Sequence, residues 1–336
     1  VTVLQPPPDR DLDVVCIGNA IVDVLAPTDD AFLERHAMTK GSMQLVDTEV
    51  AHRIYADMPP AVEASGGSAA NTAAGVAALG GAALFVGRVA DDQLGEVFAH
   101  DIRAAGVRFD AAPATGHAAR LGTARCLILV TPDAQRTMNT YLGVSAHIDT
   151  GDVAGVDLAT TKVVYCEGYL WDEPSAKDAL VHAMASARQV STPVAFTLSD
   201  SFCVDRHRAD FLGLVADHVD ILFANEAEIC SLYEVDDFDE AAARVAGHVG
   251  IACLTRSEHG SVIITSDGGR TEVAVVPTEV LDTTGAGDLY AAGFLAAWAR
   301  KADMAECGRV ASVAAAEAIS HMGARPEADL RRLAGL

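Results

Sequence analysis

The stretch Leu281-Asp282-Thr283-Thr284-Gly285-Ala286-Gly287-Asp288-Leu289-Tyr290-Ala291-Ala292-Gly293-Phe294-Leu295 decides how this chain is read. Gly285 and Gly287 let the backbone turn sharply with its amides converging, and the apolar residues after Asp288 begin a buried helix. Amides at a helix N-terminus, reinforced by the helix dipole, form an anion site. Asp288 lies in that same first turn. For an isolated Gly-Asp pair the ordinary reading is a carboxylate favoured by the dipole. The preceding Asp-Thr-Thr-Gly-Ala makes a specific use the better reading here.

Outward from this turn, short apolar runs rich in β-branched residues alternate with Ala-rich helical stretches. Val14-Val15-Cys16-Ile17, Ala83 to Val86, Val163-Val164-Tyr165-Cys166, Val194-Ala195-Phe196, Ile221-Leu222-Phe223 and Ile251-Ala252-Cys253-Leu254 read as strands. Strands apolar on both faces, with helices between them, predict an α/β fold with a doubly wound, mostly parallel sheet. Such sheets bind ligands beyond the carboxyl ends of their strands. A hairpin follows, Ser261 to Thr265 and Thr271 to Val276 around Asp267-Gly268-Gly269. Gly41 to Val46 and Arg120 to Tyr141, the latter divided by Thr131-Pro132-Asp133, look like strands without partner helices and predict a small projecting sheet. One domain over 12–336 is expected, with lid strands inserted at about 20–50 and 107–145.

The composition narrows the partners. The chain has 336 residues, half of them hydrophobic and 21% charged, so a large core is available. The 47 acidic against 24 basic residues give a formal charge of −23, which argues against nucleic acid, whose phosphates need a basic face. The seven cysteines are scattered without a Cys-x-x-Cys pair and read as small core residues in a reducing compartment. The eleven histidines lack zinc-site spacing. Leu289 to Ala299, the longest apolar run, is short of the roughly 20 residues that a bilayer requires. With no signal peptide visible, a cytoplasmic protein without a membrane partner is expected, as monomer or homodimer.

A carboxylate beside a phosphate cradle has a direct use: it accepts the proton of an attacking hydroxyl while the amides stabilise charge on the equatorial phosphoryl oxygens. Asp288 is the candidate base, and Gly285, Ala286 and Gly287 are the candidate cradle. Asp282 to Asp288 closely resembles the signature of the ribokinase-like, or pfkB, carbohydrate kinases. The resemblance extends over nearly the whole chain. Gly18-Asn19-Ala20-Ile21-Val22-Asp23 resembles the segment in which an Asn and an Asp hold ribose hydroxyls, which implies that role for Asn19 and Asp23. A carboxylate has the lone pairs to accept from two vicinal hydroxyls. Ser65-Gly66-Gly67-Ser68-Ala69-Ala70-Asn71 resembles the second glycine motif, and implies that Gly66, Gly67 and Asn71 line the sugar pocket.

Asn225-Glu226-Ala227-Glu228 matches the family's Asn-x-x-Glu motif, and implies that Asn225 and Glu228 serve the Mg²⁺ and phosphate region through water. Thr255 to Gly260 occupies the place of a Thr-x-Gly-x-x-Gly nucleotide loop. Ser257 replaces its first glycine, so Thr255 and Gly260 are the candidates for ATP contact. Asp282 and Thr284 are implied at a monovalent cation site, K⁺ in some family members. Tyr165 to Trp171 and Leu198 to Phe202 look more like the adenosine kinase branch than the hexose kinases. Tyr169 is a candidate platform for a purine base, and Gln44, Val46 and Arg136 match positions that cover the base or approach the phosphate.

The implied activity is phosphorylation of a nucleoside 5′-hydroxyl by Mg·ATP, with adenosine the first candidate. A sugar kinase acting on ribose or fructose is the alternative. A non-catalytic nucleotide or sugar sensor is a rival of another class, against which the intact Asp288, Gly285, Gly287 and Glu228 count. An NAD dehydrogenase is disfavoured because no Gly-x-Gly-x-x-Gly turn follows the first strand.

Overall fold

The computed structural model describes residues 3–111, 113–115, 118–133 and 135–336. The first half of the chain runs β1 (Leu12–Ile17), β2 (Ile21–Pro27), α1 (Asp30–Arg35), β3 (Met43–Leu45), α2 (Thr48–Asp57), β4 (Val62–Gly66), α3 (Ser68–Ala78), β5 (Ala83–Val86), α4 (Gln93–Ala104), β6 (Ala124–Val130) and β7 (Arg136–Tyr141). The second half runs α5 (Thr150–Ala154), β8 (Thr161–Glu167), α6 (Pro174–Gln189), β9 (Val194–Thr197), α7 (Ser201–Asp217), β10 (Ile221–Asn225), α8 (Glu226–Tyr233), α9 (Phe238–Val245) and β11 (Ile251–Thr255). It closes with β12 (Ser261–Thr265), β13 (Arg270–Val273), α10 (Ala286–Ala299), α11 (Met304–Ala318) and α12 (Leu330–Ala334).

Eight strands form one sheet in the order β13-β12-β11-β10-β9-β8-β1-β5. The six from β11 to β5 are parallel, and β12 and β13 add an antiparallel edge, as the hairpin predicts. Alternation along each strand divides the core in two. Val14, Cys16, Tyr165 and Phe223 pack with α3, α10 and α11, while Val15, Ile17, Cys166 and Leu222 pack with α6 to α9. Because both faces are covered, these strands read as continuous apolar runs in the sequence.

The small sheet is larger than predicted. Its five strands run β3-β7-β6-β2-β4, so β2 and β4 belong to it although the sequence presents them as parts of glycine motifs. The strand expected over Gly41 to Val46 shortens to Met43–Leu45, and Arg120 lies in a 3-10 turn ahead of β6. Residues 112, 116, 117 and 134 of the expected 107–145 insertion lie outside the described residues. One face of this sheet carries Val22, Val24, Leu127 and Leu129 and is buried under Phe32, Leu33 and Ile54 of α1 and α2. Asp23 lies on the other face, in register with Cys126, Thr140 and Leu45.

Much of the acidic surplus is used at helix starts. Asp29, Asp47, Asp92, Asp149, Asp200, Asp237, Asp303 and Asp329 each accept a backbone N–H at a helix N-terminus. Three helices lack such a side-chain cap. One is α6, which starts at Pro174. The other two, α3 and α10, begin after Gly67 and Gly285, and both point their first turns at the same place.

Candidate active site

At the start of α10, Gly285 takes φ +79° and its Cα abuts Ala324, where a Cβ would lie 2.4 Å from the alanine methyl. Only glycine combines that backbone conformation with that approach. A Cβ on Gly287, by contrast, would meet nothing within 4 Å, so the turn has open space beside it. First-turn amides of a helix have no partner within the helix and are available to an anion there.

Asp288 projects from this turn toward α3. Ser68 Oγ donates to its Oδ1 at 2.6 Å, and Asn71 Nδ2 donates to its Oδ2 at 2.9 Å. Burial pushes the Asp288 carboxyl above its ordinary value, while these two donors and the charge of Arg325 pull it back. The result is a held carboxylate of raised basicity. Asn71 Oδ1 is buried without a partner and remains able to accept a hydroxyl.

Asp23 approaches from the lid. Gly66 lies beside its carboxylate, with a Cβ position 2.3 Å from Oδ2, so only a bare Cα fits. Burial raises the Asp23 carboxyl to about 6 against the pull of Arg325 and Arg136. Asn19 is placed differently from the sequence expectation. Its N–H and Nδ2 both donate to Glu167 Oε1, at 2.8 and 2.7 Å, its Oδ1 accepts from Ser145, and the residue is 2% exposed. It braces the pocket from behind. Glu167 also accepts from Ala69 N at 2.8 Å, and burial raises its carboxyl to about 7. This carboxylate therefore fills the open N-terminus of α3.

The lid register corrects two further expectations. Gln44 Nε2 donates to Asn139 Oδ1 on the face away from Asp23, and Val46 continues that side, its N–H donating to Thr140 O. The residues of β3 that share a face with Asp23 are Met43 and Leu45, 49% and 57% exposed. Arg136 does face the site. Its Nη1 pairs with Asp282 and donates to Thr284 Oγ1 at 3.1 Å, and its Nε and Nη2 are buried without partners.

Asp282 therefore leaves no room for a cation at its side chain. Oδ1 accepts from Thr284 N and Oγ1, and Oδ2 accepts from Gly323 N and Arg136. Four donors use the lone pairs of a carboxylate. Burial pushes its pKa up, but the donors outweigh burial and hold it below the ordinary value. The side chains of Asp282 and Thr284 do not fit the K⁺ role expected of them.

Glu228 and Asn225 form a capping box at the start of α8. Both Glu228 oxygens already accept from Asn225, at 2.9 and 2.6 Å, and burial raises the carboxyl to about 7. A cation held through water fits such a residue better than direct ligation. No cluster of three His, Cys, Asp or Glu suited to a metal occurs among the described residues. Tyr169 follows β8, its hydroxyl donating to Ser199 O at 3.2 Å, in the field of Asp200, Asp288 and Glu228. In the loop after β11, Ser257 adopts φ +49°, so the backbone keeps a glycine-like conformation without the glycine. Thr255 ends β11, and Gly260 packs against Val273 O and Val275 N. Beyond that segment opens a cleft of about 620 Å³ lined by Val276, Thr278, Val313, Glu317, Ser320 and His321.

Sequence reading missed Glu167, Ser68 and Arg325 as parts of this site. Ser68 alone had a local signal, being inside the second glycine motif.

Four likenesses to known proteins bear on this geometry. The sequence pattern of the pfkB family carbohydrate kinase matches residues 51–330. The crystal structure of adenosine kinase from Sinorhizobium meliloti superposes with a TM-score of 0.88 at 49% identity, covering 97% of this chain and 99% of that one. A probable sugar kinase from Rhizobium etli superposes with a TM-score of 0.89 at 47% identity, covering 97% and 98%. The adenosine kinase of Saccharomyces cerevisiae is 27% identical over 315 residues, 87% of this chain and 90% of that protein.

Proposed function

The chain belongs to the pfkB family of carbohydrate kinases, and on that premise we propose that it transfers a phosphoryl group from Mg·ATP to the 5′-hydroxyl of a ribonucleoside, adenosine first. The kinase chemistry is common to its relatives. The choice of acceptor is carried by one observation, the character of the lid face that bears Asp23. Apart from Asp23, Arg136 and Thr140, whose hydroxyl is directed to Cys126 Sγ, that face is apolar, with Leu25, Cys126, Ile128 and Met138 beside the exposed Met43 and Leu45. A flat base covers such a surface, whereas a free sugar leaves it against hydroxyls on every side.

In this reading Asp23 accepts the two ribose hydroxyls and Asn71 Oδ1 accepts a third contact. Asp288 takes the proton of the 5′-hydroxyl as it attacks. The first-turn amides of α10 face the phosphoryl oxygens, where charge is spread during transfer. The unpartnered N–H groups of Arg136 meet the phosphate from the lid. Tyr169 serves as the base platform. The 620 Å³ cleft between Val276 and the α11 residues Val313 and Glu317 is the place proposed for the nucleotide. Glu228 would hold a divalent cation through water, and that cation, when bound, would supply charge neutralisation on the phosphates.

The test is a substrate panel with ATP consumption as readout: adenosine, guanosine, cytidine, ribose and fructose. The expected order places adenosine first and free sugars far behind. Preference for a free sugar sinks the nucleoside reading, and absence of turnover with every acceptor sinks the placement of Asp288 as base.

A further inference from the structure

Arg325 lies in the loop between α11 and α12, far along the chain from the residues that it holds. Its Nε donates to Ser65 O at 2.9 Å, Nη2 to Ser65 Oγ at 2.9 Å, and Nη1 to Ala70 O at 2.7 Å. Ser65 in turn donates through both N–H and Oγ to Asp101 Oδ2, at 2.8 and 2.6 Å. The guanidinium fork thus grips the corner where β4 becomes α3 from two sides. That corner touches both carboxylates of the proposed site. Gly66, next to Ser65, sits against the Asp23 carboxylate. Ala70 lies between Ser68 and Asn71, whose side chains hold the two oxygens of Asp288.

We propose that Arg325 is a positioning residue for the transfer, locking the β4–α3 corner so that Asp23 and Asp288 stay in register with each other. The proposal rests on Asp288 as base and Asp23 as acceptor carboxylate. A planar fork with several donors in fixed directions makes this three-way contact, and a lysine cannot reproduce it. The guanidinium also places a positive charge near both carboxylates and lowers each of their pKa values. The charged groups facing Arg325 are Asp23 from β2, Asp101 from α4 and Asp288 from α10. Asp23 also feels Arg136 and Asp282, and Asp288 lies in the field that raises Glu167 and Glu228.

The test compares wild type with Arg325→Met and Arg325→Lys in the full chain, with thermal melting as a check that each folds. For Arg325→Met, kcat/KM for the acceptor falls on the order of 10²-fold, the scale of a misplaced reacting group. KM for ATP stays near wild type, and the acid limb of the pH profile moves to higher pH because both carboxylates lose a positive neighbour. Arg325→Lys keeps the charge and loses the fork, so its acid limb stays in place while acceptor kcat/KM still falls. A methionine variant that folds with an unmoved acid limb overturns the proposal, as does a lysine variant with wild-type acceptor kinetics. If the methionine variant does not fold, the lysine variant decides alone. A failure of the base reading looks different: wild type itself then shows no acceptor turnover.

Discussion

Arg136 and Asp282 form an ion pair across the cleft, with side chains only 10% and 5% exposed. One residue belongs to lid strand β7 and the other to the turn that leads into α10, so the pair ties the small sheet to that turn. Desolvation offsets much of the attraction in such a pair, and its worth is better sought in geometry than in stability. Its guanidinium takes the place on Asp282 that a small cation would need.

That occupancy predicts the response to monovalent ions. Initial rates should be unchanged when K⁺ is replaced by Na⁺ or tetramethylammonium at constant ionic strength. In Arg136→Gln, where Asp282 is freed, a K⁺ dependence should emerge on top of a kcat loss of about 10²–10³-fold, typical of a removed charge-stabilising donor. Strong K⁺ activation of wild type would show that the carboxylate is not filled in solution.

Asp288→Asn should fold and bind nucleotide normally while kcat falls by about 10²–10⁴-fold, the range of lost general-base catalysis. Asn71 Nδ2 and Ser68 Oγ would then face an amide in place of a carboxylate. Binding of ATP by calorimetry beside steady-state turnover checks both halves. Near-normal turnover in a folded variant removes Asp288 from the base role.

The lid register gives a paired test. Leu45→Ser should raise the nucleoside KM by an amount matching about 1–2 kcal/mol of apolar contact. Gln44→Ala should leave it near wild type, since Gln44 is bonded to Asn139 on the opposite face. Tyr169→Ala should cost about 1–3 kcal/mol of base stacking and spare ATP binding. The reverse pattern at positions 44 and 45 would place the base on the other side of the strand.

Acidity should act on activity and stability in opposite directions. Asp23 accepts hydroxyls best when ionised, so kcat/KM should fall as pH drops through about 6. Glu167 and Glu228 have folded values raised to about 7, above the ordinary 4.5. The folded chain therefore binds more protons than the unfolded one between those limits, and these groups make it less stable as pH rises across that window. Melting temperature should be higher at pH 5.5 than at pH 8, and Glu228→Gln should narrow the gap. An identical gap in the variant would remove Glu228 as a contributor.

The main sheet was legible because its strands are buried on both faces and appear as unbroken apolar runs. The turn at Gly285 to Asp288 was legible because its chemistry is local: positive φ, open amides and an acid within one helical turn. The lid was legible in outline only. β3 is three residues long with exposed ends, and a shift of one residue exchanges Gln44 for Leu45 at the site. Glu167 and Arg325 were invisible for another reason. Glu167 meets Asn19 across 148 positions and Arg325 meets Ser65 across 260, so no window of sequence holds both ends of either contact.

Asp23 on the lid and Asp288, the proposed base, stand far apart in the chain, and this has a consequence during synthesis. Lid strands β2, β3, β4, β6 and β7 are complete by Tyr141, whereas Asp288 and Arg325 are synthesised well after them. A chain that has reached Tyr141 carries every lid strand, yet it lacks Asp288 and the Arg325 contacts that grip the β4–α3 corner. Interrupted translation before α10 should therefore leave products that are catalytically silent rather than partly active.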